Sequence, residues 1–322
     1  MHVSNPSQIW TVILAGGEGT RLRRLTHALH GEDRPKQFAF IHGGRSLLQS
    51  TLARSARWSA PERSVVVVSR EREALARSQL PKGSPVDLVA QPANCGTGPG
   101  VLLPLARVIA RDPDALVVIL PSDHYVRDEV AFERSIARAV ETARAQETVV
   151  LMGALPDSAE TQYGWIAGDG AAGAGHRVIR GFWEKPGPER ARGLLAEGAL
   201  WNTFVMVGSA RCFWQLARAH LPEQTRRFEP YVQALDTPGE LSALERAYSA
   251  MPHADFSADL LQRARGLCAV PLETCGWSDW GTPERVLESL RHDRAYHVLH
   301  RQLQAAERRA VLENLPAAAL LC

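Results

Sequence analysis

A glycine-rich turn followed by two fixed cations is the feature of this chain that most clearly could do chemistry. An apolar run ends in the segment Leu14–Thr20, which reads LAGGEGT, and Arg21 and Lys36 follow it. Glycine puts no side chain between a ligand and the backbone, and successive N–H groups can form a concave anion site. Cationic side chains can neutralise phosphate charge. The pattern therefore predicts a nucleoside triphosphate site.

Two well-known phosphate-binding motifs do not fit this turn. The Walker A loop requires Gly-Lys-Ser/Thr after its spacer, and the dinucleotide fingerprint requires a further glycine where Leu22 stands. An ordinary strand-to-helix turn is the alternative for the glycines taken alone. The adjoining Thr20-Arg21-Leu22 and Arg34-Pro35-Lys36 favour the nucleotide site.

Two aspartates are candidates for holding a metal ion. Asp123 follows the apolar run Leu116–Leu120, and Asp279 lies in the segment Gly276–Gly281. Mg²⁺ prefers a few protein carboxylates completed by phosphate and water, and it can hold two reacting phosphates together. Either aspartate alone could be a helix N-cap or a turn residue. With the motifs around them, the pair predicts a magnesium site.

Three short segments of the second half could contact a sugar phosphate. Lys185 offers a compact charge suited to phosphate, and the neighbouring Glu184 can accept hydrogen bonds from sugar hydroxyls. Gly164 would let the backbone approach a ligand, and the amide of Asn202 both donates and accepts. Taken alone, each segment favours a plainer alternative: a solvated charge pair, a bend in a strand and a turn at a strand entry.

The elements that must position these residues alternate through the first half of the chain. The predicted strands there are Trp10–Leu14, Val65–Val68, Val86–Ala90, Leu116–Leu120 and Thr148–Met152. The predicted helices between them are Ser46–Arg57 with Ser46 as N-cap, Glu71–Leu80, Val101–Arg111 and Val130–Gln146. This alternation predicts a Rossmann-like α/β fold with a mixed, mostly parallel sheet flanked by helices. Ligands of such sheets lie beyond the carboxyl ends of strands, so the glycine-rich turn and Asp123 should meet at one edge.

The second half is less regular. We expect strands near Tyr163–Ala167, Val178–Trp183 and Phe204–Val207, a loop over Gly168–Gly175, and helices near Pro188–Glu197, Ala210–His220 and Ser242–Ala250. From Pro283 onward the pattern is almost wholly helical. We therefore predict one domain over residues 1–286, with halves of about 1–150 and 151–286, and a helical C-terminal tail over 287–322. The charged stretch Arg294–Arg309 is either a homodimer element or a helix on its own domain, and both interpretations stay open.

Composition narrows the partners. Lys plus Arg number 37 and Asp plus Glu 35, a net charge of +2, which gives no reason to expect nucleic acid or an anionic membrane. No apolar stretch approaches a membrane-spanning length, and the first residues lack the pattern of a signal peptide. Five cysteines with no CxxC pair favour reduced thiols. We expect a cytoplasmic protein.

The ordered set of motifs resembles the sugar-phosphate nucleotidyltransferase family, and within it the mannose-1-phosphate guanylyltransferases. The resemblance runs from about Trp10 to Val286. It is carried by Leu14–Leu22, Arg34–Phe38, Leu120–His124, Tyr163–Ile166, Phe182–Pro186, Trp201-Asn202, more weakly Ser257–Asp259, and Trp277–Gly281. It implies the nucleotide-diphospho-sugar transferase fold, a requirement for Mg²⁺, and formation of GDP-mannose and pyrophosphate from GTP and mannose 1-phosphate.

The resemblance also assigns expected roles to residues of this chain. The catalytic set that it implies is Arg21, Lys36, Asp123, Lys185 and Asp279, with Asp123 and Asp279 as metal ligands. The nucleotide would be bound by Leu14, Ala15, Gly16, Gly17, Gly19, Thr20, Gln91, Gly96 and Thr97. The sugar phosphate would be bound by Gly164, Glu184, Lys185 and Asn202.

Three positions depart from the pattern of the guanylyltransferases. An Arg-Asn pair on the base side of that pattern is replaced here by Cys95 and Gly96, and a glycine of the sugar motif is replaced by Phe204. Transfer from UTP or dTTP to glucose 1-phosphate therefore stays open as an alternative. So do a non-catalytic sensor of nucleotide or sugar phosphate and a regulatory subunit that docks a catalytic partner through the tail.

Overall fold

A single mixed sheet is the framework of the molecule. The computed structural model describes residues 9–32, 34–169, 175–291 and 293–312. Its strands are β1 (Ile9–Leu14), β2 (Ser64–Ser69), β3 (Asp87–Gln91), β4 (Leu116–Pro121), β5 (Val150–Ala154), β6 (Trp165–Asp169), β7 (Arg177–Trp183), β8 (Leu200–Ser209) and β9 (Cys268–Pro271). Within the described ranges they form one nine-stranded sheet in the order β3-β2-β1-β4-β8-β5-β9-β7-β6.

Helices cover the sheet and extend the chain beyond it. They are α1 (Arg23–His30), α2 (Leu47–Ser55), α3 (Glu73–Gln79), α4 (Thr97–Arg111), α5 (Glu129–Gln146), α6 (Pro188–Ala196), α7 (Ala210–His220), α8 (Pro222–Ala234), α9 (Glu240–Tyr248), α10 (Pro283–Leu290) and α11 (Arg294–Leu312). Short 3₁₀ turns lie at Thr20–Leu22, Lys36–Phe38, Pro61–Arg63 and Arg70–Arg72, and a π-helical segment spans Phe256–Leu261. The predicted α/β fold with its C-terminal helix is confirmed.

The N-terminal half holds the parallel part of the sheet. β1 pairs in parallel with β2 and β4, and β2 pairs in parallel with β3. The four valines of β2 are buried, as a strand covered on both faces requires. Leu14 lies opposite Pro121 in the ladder, and the Ser122 N–H donates to the Leu14 carbonyl at 3.0 Å. The glycine-rich turn and the segment that carries Asp123 therefore leave the sheet at the same edge, as predicted.

The C-terminal half is organised around β8, which pairs antiparallel with β4, β5 and β6. This strand begins four residues before the predicted Phe204–Val207, because the polar pair Asn202-Thr203 lies within it. Thr203 is buried and its hydroxyl donates to the Met152 carbonyl at 2.6 Å. The turn expected at Asn202 is thus wrong: a partner across the strands lets a polar side chain lie inside a ladder.

Helices pack on both faces of the sheet and form two large hydrophobic clusters. One cluster joins α4, α7, α8 and α9 to β1, β2 and β4, and the other joins α5 and α6 to the opposite face. α4 begins at Thr97 rather than at the predicted Val101, although its first turn contains Pro99. The missing side chains of Gly98 and Gly100 allow close contact with Ala254 and Gln91.

The C-terminal helices form a separate hydrophobic cluster with the segments that carry the candidate catalytic residues. Its buried side chains are Leu22, Leu25, Ala39, Ile41, Leu47, Tyr125, Trp280, Val286, Leu290 and Leu299. α11 contacts α1 and α10. Leu22 directly follows Arg21, and Trp280 directly follows Asp279, so one small core joins both segments to the tail.

Parts of two predicted elements lie outside the residues that the structure describes. Residues 170–174 of the expected loop Gly168–Gly175 and residues 313–322 of the tail lie beyond the described ranges. Among the helices that are described, none has both the length and the hydropathy needed to cross a membrane.

Candidate active site

The glycine-rich turn is packed against the segment that carries Lys36. Gly19 has a φ of 61°, and a Cβ on it would lie 2.9 Å from the Lys36 nitrogen, so this position requires glycine. The side chain of Gln37 donates to the carbonyls of Ala15 at 3.0 Å and Gly17 at 2.6 Å. The turn is therefore held from the side by the segment Arg34–Phe38, which contains Lys36. Gln37 belongs to that segment, but the sequence suggested no role for it.

A cavity of about 470 Å³ opens beside this turn. The predicted nucleotide-binding residues that line it are Leu14, Gly16, Gly17, Gln91, Gly96 and Thr97, and Asp123 also lines it. Ala15, Gly19 and Thr20 lie outside its described lining: Ala15 is buried, and the other two lead into the 3₁₀ turn at Arg21. Residues that sequence reasoning missed also line the cavity, among them Asn94, His253 and Asp255. No local pattern marks His253 or Asp255, which are distant in sequence.

The departure from the family pattern at Gly96 has a structural reason. Gly96 has a φ of 89°, and a Cβ there would collide with the Ala254 carbonyl and lie 2.9 Å from Nε2 of His253. Backbone hydrogen bonds fasten the two segments together, from Gly98 N–H to the Ala254 carbonyl at 2.8 Å and from Ala254 N–H to the Cys95 carbonyl at 3.0 Å. The His253-Ala254 segment thus fills the space that a larger side chain at position 96 would need.

Gln91 is oriented by a buried tyrosine. The Tyr248 hydroxyl donates to Oε1 of Gln91 at 3.3 Å, and burial raises the pKa of Tyr248, which keeps this hydroxyl protonated. Nε2 of Gln91 lies on the side of Gly16, where an added Cβ would be 2.7 Å away. The amide therefore presents its donor to the glycine-rich turn at the edge of the cavity.

Lys36 joins the two candidate metal ligands. Its Nζ lies 3.0 Å from Oδ2 of Asp123 and donates to the backbone carbonyl of Asp279 at 2.6 Å. Lys36 is buried, whereas the side chain of Asp123 is 28% exposed. Burial opposes ionisation of Asp123, but the attraction of Lys36 lowers its pKa below the usual value. The carboxylate is therefore ionised at neutral pH and open to the cavity.

Asp279 is the more enclosed of the two aspartates. Its Oδ1 accepts from the Tyr163 hydroxyl at 2.5 Å, and its Oδ2 lies 3.6 Å from Nη2 of Arg21. Burial again opposes ionisation, yet the Tyr163 hydrogen bond and the charge of Lys36 lower the pKa of Asp279. Arg285 also donates to Oδ1, at 3.1 Å. Sequence reasoning missed Arg285, because it lies in a plain amphipathic helix.

His124 is neutral in this environment. Burial lowers the pKa of His124 to about 4, against the opposing attraction of Asp123. The Trp277 indole N–H donates to its Nδ1 at 3.3 Å, and Nε2 faces Oδ1 of Asp123 at 3.8 Å. An acceptor at Nδ1 places the ring proton on Nε2. His124 therefore points its Nε2 proton toward the Asp123 carboxylate.

The predicted sugar-phosphate residues converge behind Asp279. A Cβ on Gly164 would lie 2.9 Å from a carboxylate oxygen of Glu184 and 3.3 Å from Cβ of Asn202, so the three positions adjoin. The Asn202 N–H donates to the Gly164 carbonyl at 2.7 Å, and the Lys185 N–H donates to the Tyr163 carbonyl at 3.2 Å. Nζ of Lys185 pairs with Glu184 at 3.2 Å and is mostly exposed. Burial raises the pKa of Glu184, which Lys185 partly offsets.

Three non-glycine residues with positive φ belong to the predicted site segments: Lys185 at 45°, Phe204 at 57° and Trp280 at 46°. Such conformations cost about 1–3 kcal/mol each and persist where the surroundings impose them. Phe204 stands where the family pattern has glycine, and its φ explains that preference. Its ring packs edge-on against Phe256 and lines the cavity, where glycine would leave more space.

Asp123 and Asp279 suit a role as Mg²⁺ ligands. Both present hard, ionised oxygen donors near one shared cation, Lys36, and phosphate and water would have to complete the coordination. In the described part of the chain no group of three or more His, Cys, Asp or Glu side chains is arranged to hold a metal. The donor set therefore fits an ion held jointly with a phosphate substrate.

The fold is a mixed α/β sheet with a candidate phosphate site at one edge, and comparison with known families gives the class of the protein. The model of the nucleotidyl transferase family matches residues 10–295, so the chain belongs to that family. Within it, the chain is 28% identical to the mannose-1-phosphate guanylyltransferase of Escherichia coli K12 over 304 residues, which are 91% of this chain and 62% of that protein.

Two further relatives extend the comparison. The chain is 30% identical over 291 residues to the xanthan biosynthesis protein XanB of Xanthomonas campestris pv. campestris, covering 89% of this chain and 60% of XanB. A crystal structure from Thermus thermophilus, described as a mannose-1-phosphate geranyltransferase, superposes with a TM-score of 0.77 at 29% identity, covering 89% of this chain and 80% of that one. The chain spans about three fifths of the length of the curated relatives that it matches.

Proposed function

We propose that this chain is a sugar-1-phosphate nucleotidyltransferase that forms GDP-mannose and pyrophosphate from GTP and mannose 1-phosphate. The observation that carries the proposal is the unbroken line of contacts from the cavity to the second half of the sheet. It runs from Asp123 through Lys36 to Asp279, and from there through Tyr163 to Gly164. A site built in this way can hold two phosphate-bearing molecules against each other.

The reaction needs no general base from the protein. A phosphate oxygen of the sugar 1-phosphate, already anionic, attacks the α-phosphorus of the triphosphate, and the bond to the leaving pyrophosphate breaks. Catalysis then consists of positioning and charge neutralisation. Arg21 and Lys36 would hold the triphosphate and stabilise the charge on the pyrophosphate. Lys185 would anchor the sugar phosphate.

The remaining residues would bind and orient. Asp123 and Asp279 would hold Mg²⁺, which when bound neutralises the facing phosphates. Glu184, Asn202 and the backbone at Gly164 would contact sugar hydroxyls. The neutral His124 offers no charge to the site, which is consistent with a supporting role.

A second substrate pair fits the base side of the cavity equally well. Gln91 presents an amide donor beside Gly16, and His253 replaces the side chain that the guanylyltransferases carry at position 96. An amide donor can contact a keto oxygen of guanine, uracil or thymine. UTP or dTTP with glucose 1-phosphate is therefore the second candidate.

Pyrophosphate release by the purified chain tests both candidates. Mannose 1-phosphate and glucose 1-phosphate are each combined with GTP, UTP, dTTP, CTP and ATP in the presence of Mg²⁺. We expect the highest kcat/KM for GTP with mannose 1-phosphate. Preference for another pair would reject that substrate assignment and keep the reaction class, and no release with any pair would reject the reaction class.

A further inference from the structure

One oxygen of Asp279 is fully occupied by the protein. Oδ1 accepts three hydrogen bonds, from the Tyr163 hydroxyl at 2.5 Å, the Gly281 N–H at 2.9 Å and Nη1 of Arg285 at 3.1 Å. A carboxylate oxygen has about two lone-pair sites, so Oδ1 has no capacity left for a further ligand. Oδ2 lies beside Arg21, whose side chain is 53% exposed, at 3.6 Å, which is beyond hydrogen-bond distance. Only Oδ2 can take a cation.

Arg285 is itself held firmly. It lies in the first turn of α10, where its N–H donates to the side chain of the N-cap Thr282 at 3.4 Å. Its guanidinium stacks over the Tyr163 ring at 4.5 Å from the centroid, and it also bonds the Tyr163 hydroxyl and the Glu160 carboxylate. A planar guanidinium can make several directed bonds at once, which an ammonium cannot. The guanidinium group of Arg285 (the fork) therefore holds both Tyr163 and Asp279 in place.

We propose that Arg285 is a positioning residue that sets the rotation of the Asp279 carboxylate, so that Oδ2 alone is offered to the divalent cation. The inference rests on the proposed function for the identity of that cation. Without Arg285, Oδ1 keeps only the Gly281 N–H and a Tyr163 hydroxyl that has lost its own partner, so the carboxylate would be less well preorganised for the cation.

The same residue ties the metal side of the site to the sugar side. The Tyr163 carbonyl accepts from the Lys185 N–H, and Tyr163 precedes Gly164. Arg285, bonded to Tyr163 and Asp279 at once, thus fixes the distance between a candidate metal ligand and the candidate phosphate anchor. Loss of the fork should therefore affect metal affinity first and the fold little, because Arg285 is only partly buried.

Mn²⁺ binding tests the inference directly, because free Mn²⁺ can be counted by electron paramagnetic resonance without any turnover. The wild-type chain, Arg285→Gln and Arg285→Lys are titrated with Mn²⁺ at one fixed GTP concentration, and the Mn²⁺ that the same GTP binds without protein is subtracted. We expect Arg285→Gln to weaken Mn²⁺ binding by about 10-fold, in line with outer-shell partners of metal ligands. Arg285→Lys should recover little, because it keeps the charge and loses the fork.

Two further variants control the experiment. Arg291→Gln removes an exposed arginine just after the same helix, whose partner is Glu288, and should bind Mn²⁺ as the wild type does. Tyr163→Phe removes one of the three donors to Oδ1 and keeps the ring under the guanidinium, so it serves if Arg285→Gln does not fold. It should also weaken Mn²⁺ binding, by a smaller factor.

The outcomes separate this inference from the proposed function. Unchanged Mn²⁺ affinity in folded Arg285→Gln, with an active wild type, would overturn the positioning role and leave the reaction intact. Weakened affinity with an inactive wild type would support the positioning role and reject the reaction. A wild type that binds no Mn²⁺ would overturn the inference.

Discussion

Replacing Lys36 with methionine tests the centre of the site, because this side chain contacts both candidate metal-binding segments. It makes an ion pair with Asp123 at 3.0 Å and a hydrogen bond to the Asp279 carbonyl at 2.6 Å. Hydrogen bonds to charged groups contribute about 1.5–3 kcal/mol each when both partners are buried. Water can reach the 28% of Asp123 that is exposed and replace part of what is lost. We therefore expect Lys36→Met to lower the free energy of unfolding by about 2 kcal/mol.

The effect on catalysis should be larger than the effect on stability. Loss of one preorganised charge from a transition state costs on the order of 10²–10³ in rate. Pyrophosphate release should therefore fall by that factor, at a temperature where urea denaturation shows the variant fully folded. Lys82→Met is the matched control: Lys82 is exposed in a loop, and neither stability nor rate should change.

The pH dependence of the stability difference sharpens the test. Lys36 lowers the pKa of Asp123, so the stability from this pair is present above the ordinary aspartate pKa of about 4 and is lost as pH falls. The difference in the free energy of unfolding between wild type and Lys36→Met should be largest at pH 7 and should decrease below pH 4. A gap that is absent at pH 7, or that grows on acidification, would refute the ion-pair reasoning.

Three further predictions concern residues around the cavity. In the metal-free protein, the free energy of unfolding should decrease by up to about 3 kcal/mol as the pH is lowered from 6.5 to 4. The reason is that His124 stays neutral in the folded protein and takes up a proton in the unfolded one. His124→Gln should reduce this pH dependence in urea denaturation. Gly96→Ala should cost at least about 2 kcal/mol, since its Cβ would collide with the Ala254 carbonyl at a left-handed φ; a variant as stable as the wild type would contradict the geometry. Tyr248→Phe should raise the KM for nucleotide several-fold and leave the KM for sugar 1-phosphate unchanged, because only Gln91 loses its orienting bond. Equal effects on both KM values would argue against that role.

Much of the framework could be predicted because the signals for its strands and helices lie within a few neighbouring residues. The valine run of β2 and the N-cap at Ser46 each depend on neighbours within a few residues, and both are confirmed. The meeting of the glycine-rich turn with Asp123 follows from a general rule of parallel sheets and is also confirmed. The roles assigned to Arg21, Lys185 and the other site residues stay predictions.

The rest could not be predicted because its signals are not local. α8 contains Pro230 and begins directly after α7, and β9 is only four residues long, so neither has a distinctive pattern. Arg285, Tyr248 and His253 each reach the site through a contact with a residue more than a hundred positions away. A single sequence contains no local pattern that indicates contacts between residues so far apart in the chain.

The cluster that joins α11 to the candidate site is separate from the hydrophobic clusters of the sheet, so we expect it to open as a unit of its own. Leu22, Trp280 and Leu299 share one small core, so releasing α11 would part the Arg21 segment from the Asp279 segment without breaking a strand ladder. The amide protons of these regions should then exchange with solvent through one common opening, of lower free energy than that of the strands. Occupancy by a substrate that bridges both segments would slow the exchange of α11, although the helix touches no substrate.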